Sequence, residues 1–308
     1  MTVGSLTPTS PFLDLPPEFG ELETAAVCIM PVPYDATATY QSGARFGPAA
    51  LIAASHQVEL FDEMLQRETY RVGIHTCAAV RPNAAGPEAM IADVRAACEP
   101  LLDAGKFVVL VGGEHTVTLG AIEALRRKRA GRPFGVVQFD AHRDLRPAYE
   151  GTRWSHACVM ARVVEWGLPV VQLGVRAWSP EENELGSAAN VTFLPAWELV
   201  AARDPVALLD GALSNLPDDV YLTFDLDALD PAIMPSTGTP EPGGLLWYPT
   251  LAMIDALSRR RRIIGFDVVE LAPIAGLVAP DLLAARLLYR TLGFITRTWT
   301  PLKGGCAS

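Results

Sequence analysis

The chain has 308 residues, 50% of them hydrophobic, and carries a formal net charge of -10 with a pI near 5.0. That acidic balance repels phosphate backbones and anionic bilayers at long range, so neither a nucleic acid nor a membrane is expected as a partner. The opening MTVGSLTPTSPF lacks the basic stretch and apolar core of a secretory leader, and no apolar run reaches bilayer-spanning length. A cytoplasmic protein with one sizeable core is expected.

In chain order, the proline-rich residues 1–20 read as a loose tail ahead of a single domain over 21–308. Ala25–Met30 is the first buried strand. Over Glu88–Leu102, Met90, Ile91, Val94, Cys98, Leu101 and Leu102 recur at helical spacing, with Gly105 as the stop. Strand Phe107–Val111, helix 117–129, strand Phe134–Phe139 and helix 156–166 follow. Then come strands Val170–Val175 and Val191–Leu194, helix 205–215, strand Val220–Phe224, helix 249–260, strand Ile263–Val268 and helix 281–297. Short Val/Ile/Leu-rich runs alternating with helices predict a mostly parallel sheet covered on both faces. Cys28, Cys77, Cys98, Cys158 and Cys306 are scattered and odd in number, which fits reduced thiols and neither a disulfide framework nor a thiolate zinc site.

Polar clusters fall at the carboxyl ends of these strands, where such sheets bind ligands. Val109-Leu110-Val111 runs into Gly112-Gly113-Glu114-His115, Phe139 into Asp140-Ala141-His142-Arg143-Asp144, Phe224 into Asp225-Leu226-Asp227, and the last strand into Glu270. In extended backbone, side chains two apart point the same way about 6.5 Å apart, so Asp140, His142 and Asp144 share a side, as do Asp225 and Asp227. Carboxylates converging with nothing between them repel, so the clusters make sense around cations. His115, Asp140, His142, Asp144, Asp225 and Asp227 offer too many donors for one zinc but match two divalent ions in charge. Imidazole and carboxylate without thiolate suit Mn²⁺ best, with Zn²⁺, Co²⁺, Ni²⁺ or Fe²⁺ able to substitute. Purely structural carboxylates are the alternative.

The stretches SGARFGPAAL, GGEHT, FDAHRD, FDLDALDPAIMPSTGTPEPGGL and DVVEL, in this order, resemble the ureohydrolase family of arginases and agmatinases over most of residues 25 to 297. The resemblance implies a single three-layer α/β/α domain with a central sheet of about eight strands, a site for two Mn²⁺ per chain, and hydrolysis of a guanidinium group to urea and an amine. One metal would fall to His115, Asp140, Asp144 and Asp225, the other to Asp140, His142, Asp225 and Asp227, so that Asp140 and Asp225 bridge. Glu270 matches the family's recognition glutamate and would grip guanidinium nitrogens in a charge-assisted pair. Asp230 would orient a ligand or hydrogen-bond the intermediate, or alternatively cap the turn at Pro231. His156, in WSHACVM, resembles the proton-shuttling histidine, expected to titrate near neutrality, although alanine follows where many relatives have glycine. Trimers or hexamers are implied by the same resemblance.

Other features read as ordinary. Arg259 to Arg262 close a helix, His56 and His75 are structural, Cys158 is an inert thiol, and Gly238, Gly243 and Gly244 among prolines form a stiff mouth loop. RDLRPAYEGTRWS lacks the Asn and Ser run with which arginases hold an amino acid. A small cationic guanidino substrate is therefore expected, agmatine first, giving putrescine for polyamine biosynthesis. Guanidinobutyrate, guanidinopropionate, guanidine and aminopropylagmatine are alternatives, left open by GGEHT and by Arg143 inside the ligand cluster. Formimino or amide hydrolysis on the same scaffold and a non-catalytic metal-binding relative are the rival classes.

Overall fold

A computed structural model describes residues 10–189 and 191–302. Eight strands form one sheet: β1 Val27–Val32, β2 Ile74–Thr76, β3 Phe107–Gly112, β4 Gly135–Phe139, β5 Val170–Val175, β6 Thr192–Pro195, β7 Asp219–Asp225 and β8 Arg262–Val269. Their spatial order is β2-β1-β3-β8-β7-β4-β5-β6. Every pairing in the sheet is parallel, so the expected mostly parallel sheet is wholly so.

Alternation along the strands splits the core into two layers. Val27, Ile29, Val109, Val111, Val137, Phe139, Leu222, Phe224, Phe266 and Val268 face one side, against helices Gly47–Ser55, Trp247–Arg260 and Ala279–Ile295. Met30, Val108, Leu110, Val136 and Tyr221 face the other, against Pro87–Asp103, Thr118–Lys128 and Val159–Glu165. A single α/β domain with helices on both faces results. No helix among the described residues is long and apolar enough to cross a membrane.

Several elements were not expected, among them helix Ala196–Ala201, the hairpin Phe61–Asp62/Arg67–Glu68 and the following three. The edge strand β2 has three residues, too few to show a period. Helix Gly47–Ser55 (GPAALIAAS) is small and apolar on every side, so nothing in its spacing marks a face. Helix Pro180–Ala188 is polar, but Ser179 and Glu182 close a capping box at its start that the sequence does spell out.

The described part of the expected tail is not loose. Residues 1–9 lie outside the described residues, as does Cys306, but Phe12, Leu13 and Phe19 are buried in the main core. Phe12 N–H donates to Thr76 Oγ1 at 2.9 Å and Leu13 N–H to Ser55 Oγ at 2.7 Å, tying the segment to β2 and to helix Gly47–Ser55. The two histidines read as structural serve the same segment, His56 against Pro11 O and His75 against Gly20 O. Proline content misled because it reports backbone stiffness, whereas two phenylalanines decide burial. Phe12→Ala is expected to lower unfolding stability by about 3–5 kcal/mol in urea titration; a change near zero would restore the loose tail.

Candidate metal centre

Four neighbouring central strands, β3, β8, β7 and β4, deliver the polar clusters to one corner. After β3 the chain turns through Gly112 and Gly113 into a 3₁₀ turn at His115–Val117 that feeds helix Thr118–Lys128. Gly113 is required there, since a Cβ would sit 1.9 Å from Tyr34 O. Its carbonyl accepts from Glu270 N–H at 2.8 Å, locking the end of β8 to the end of β3.

His115 Nδ1 lies 3.1 Å from Asp140 Oδ2, 3.0 Å from Asp144 Oδ2 and 3.5 Å from Asp225 Oδ2. His142 Nδ1 lies 3.1 Å from Asp227 Oδ2 and 3.5 Å from Asp140 Oδ1. Two groups of donor atoms, His115/Asp140/Asp225 and Asp140/His142/Asp227, each fall within 4.8 Å of one another and share Asp140. All six expected ligands thus converge. Asp144 joins through His115 rather than through either compact triad, its backbone held at φ +53°.

Backbone and side-chain donors fix the carboxylates. Gln138 Nε2 donates to Asp140 Oδ2, His142 N–H to Asp140 Oδ1, Ala141 N–H to Asp227 Oδ1, Asp227 N–H to Asp225 Oδ1, and Thr239 Oγ1 to Asp227 Oδ2. Behind His115 runs a buried chain missed from sequence: Nε2 is 2.8 Å from Thr223 Oγ1, whose hydroxyl donates to Asp267 Oδ1, while Tyr221 donates to Asp267 Oδ2. With Thr223 committed as donor to Asp267, Nε2 of His115 carries a proton, so that in the neutral ring Nδ1 is the acceptor facing the carboxylates. That Nδ1 is buried and has no hydrogen-bond partner. An acid in the middle of the apolar strand GFDVV was the available signal.

The residues fit divalent cations. Nδ1 of His115 faces three carboxylates with no other partner, a donor set that a cation would complete once the ring is neutral, and neither triad holds a thiolate. Without cations the acids cannot all ionise. Burial and then Asp140 push Asp144 up to about 7, and burial with Asp227 and Asp140 pushes Asp225 well above the usual carboxylate range. Burial would lower both ring pKa values, but Asp140 and Asp144 outweigh it at His115, as Asp227 and Asp140 do at His142, so both rise. Cations must displace those protons. Groups with raised pKa keep their protons as pH falls, so affinity is lost going down through pH 7. Mn²⁺ binding is expected to weaken about tenfold per pH unit per displaced proton, with proton release seen by calorimetry in two buffers; equal affinity at pH 6 and pH 8 would count against this.

A cleft of about 350 Å³ opens over the cluster, lined by His142, Asp144 and His156 below and by Arg146, Tyr149, Trp178 and Glu241 towards its mouth. A larger basic recess of about 730 Å³ lies at the opposite, amino-terminal end of the sheet and holds none of these ligands. There Arg260 and Arg262 pair with Asp210 and Asp219, and Arg259 with Asp255, in keeping with an ordinary helix end.

Glu270 sits at φ +66° with Oε1 accepting from His115 N–H at 2.6 Å. Burial, then the charge of Glu114, raises its pKa well above the usual range. His156 lines the cleft, with Nδ1 3.2 Å from the hydroxyls of Thr37 and Ser155 and its ring edge-on to Tyr149. Burial, then the neighbouring His142 and His115, pulls its pKa down to about 4.

Of the two roles expected of Asp230, the structure shows the turn-capping one. Its Oδ1 accepts from Ala232 N–H and its Oδ2 from Gly243 and Gly244 N–H, so the carboxylate staples the mouth loop and belongs to neither metal triad. Gly244 permits this, because a Cβ would lie 2.6 Å from Asp230 N. Arg143, which had left the substrate open, turns away to stack on Phe193 and bond Gln172. Cys158 is buried, and burial pushes its thiol up to about 11. Two further residues went unnoticed in the sequence. Thr37 accepts from His156 N–H and donates to Glu114, and Arg176 directs its guanidinium at backbone oxygens of Gly174, Asp227, Ala228, Leu229, Glu241 and Pro242. A lone Thr or Arg in a loop gives no sign of such a role.

Known proteins share both the sequence and the shape. An N(1)-aminopropylagmatine ureohydrolase of Synechocystis sp. is 41% identical over 88% of this chain and 89% of its own length. An agmatinase of Pyrococcus horikoshii is 32% identical over 90% of this chain and 94% of its own. The crystal structure of an agmatine ureohydrolase of Thermoplasma volcanium superposes with a TM-score of 0.82 at 26% identity, covering 91% of this chain and 93% of that one. The model of the arginase family matches residues 25–293, and with that span the chain belongs to the arginase family.

Proposed function

We propose that this chain hydrolyses the guanidino group of an agmatine-type amine to urea and the free amine. The observation that carries this is the pair of donor triads sharing Asp140, with His115 Nδ1 bare, directly beneath the cleft. Two Mn²⁺ per chain are proposed, one held by His115, Asp140, Asp144 and Asp225, the other by Asp140, His142, Asp225 and Asp227. Such ions supply charge neutralisation and a water of lowered pKa near neutral pH.

The chain's own groups do the rest. Glu270 has one oxygen on His115 N–H and its other near Gly238, free to accept from a guanidinium N–H. A guanidinium there would offset the burial that raises the carboxyl's pKa. As water adds to the guanidinium carbon, the bond to the amine nitrogen breaks and that nitrogen takes up a proton. His156 Nδ1 is tied to hydroxyls, so Nε2 is the ring atom left for proton exchange, and burial keeps the imidazole neutral.

Between the two amines, N(1)-aminopropylagmatine is preferred over agmatine, the first expectation from sequence, because the 41% identical relative carries that name and the agmatinase is 32% identical. Urea release with added Mn²⁺ is expected to give aminopropylagmatine a kcat/KM about tenfold or more above agmatine, with arginine and guanidinobutyrate lower still; arginine in front would overturn the reading. Glu270→Gln is expected to cut kcat by about a hundredfold or more while metal analysis still finds the full complement. Loss of metal with activity would make Glu270 a ligand and remove its recognition role.

A further inference from the structure

The mouth of the cleft holds three charged side chains above the ligands: Arg146, Glu182 and Glu241. Two of them are already spent. Glu182 accepts from Leu145 and Ser179 N–H, and Arg146 stands 3.8 Å from it with its guanidinium stacked 4.8 Å over Tyr149. Glu241 is different: it is half-buried, and its carboxylate makes no ion pair and no hydrogen bond with the described residues. Arg176 attracts it electrostatically but directs its donors at backbone oxygens, including the carbonyl of Glu241 itself. The loop that carries Glu241 is anchored at the metal cluster two residues earlier, where Thr239 donates to Asp227.

We propose that Glu241 receives the ammonium of the substrate tail and thereby makes this cleft select amine-tailed guanidines over guanidino acids. A partly desolvated, unpaired carboxylate gains most from a cation and repels a carboxylate of equal reach. The indole of Trp178, packed on Phe193 and Trp197, forms the adjacent wall against which a methylene chain can lie. Arg146 does not offer the opposite preference, because Glu182 neutralises it.

The inference rests on the hydrolase reading only for the chemistry at the other end of the substrate. Its test compares wild type with Glu241→Gln on agmatine and on n-butylguanidine, which has the same chain without the amine. The ratio of their kcat/KM values is expected to fall roughly ten- to hundredfold, through KM for agmatine, as for loss of a hydrogen bond between charged groups. An unchanged ratio, including a parallel fall on both compounds, overturns the assignment. Glu241→Arg should move preference towards 4-guanidinobutyrate, and failure to do so counts against it equally. Putrescine binding by calorimetry reads the same contact without turnover: weaker binding in Glu241→Gln supports the amine site even were wild type inert on every guanidine, and equal binding sinks it.

Discussion

Like charges held in a buried corner set the terms for this molecule. Carboxylates from Asp140, Asp225 and Asp227 meet two imidazoles in triads whose donor atoms lie within 4.8 Å of one another, and Asp144 presses on His115 beside them. At such separations each like pair costs on the order of 3 kcal/mol even with a generous effective dielectric. Burial, and then the neighbouring acids, push Asp144 and Asp225 up, so that protonation eases the repulsion where no metal is bound. Divalent cations at the two triads would offset it, with the proton on Nε2 of His115 leaving Nδ1 to face one.

Parallel topology makes that corner available. Strands β3, β8, β7 and β4 are neighbours in space but distant in sequence, and because all run the same way their carboxyl ends open at one level. Apolar layers on both faces hold the strands so that the acids cannot separate to escape one another. The buried path from His115 through Thr223 to Asp267 crosses from β7 to β8 beneath the ligands, joining the stability of the sheet to the protonation state of the site.

Much of this was legible in the residues alone. Seven of the strands announce themselves as short branched runs, and an Asp-x-His-x-Asp after one of them can be placed on one side without knowing the fold. The ligands were readable because acids and histidines gather just past the strand ends, although His115 and Asp227 lie in 3₁₀ turns and Asp144 sits at φ +53°, so strand alternation is not what brings them together. What escaped has a common physical origin. β2, at three residues, is too short to have a period, and helix Gly47–Ser55 is apolar all round. Asp230 and Arg176 act on backbone atoms, whose positions no side-chain pattern encodes. The depth at which the His156 ring is buried, which pulls its pKa down, was likewise invisible in the sequence. Asp267 could have been caught, since an acid inside a buried strand must have partners.

Arg176 carries a last implication. Because its guanidinium holds main-chain oxygens on both the Asp227 turn and the Glu241 loop, the grip does not depend on which side chains that loop displays. Lineages can therefore rewrite the rim residue by residue while the reaction centre stays in register, so that new tails are tried on an unchanged engine.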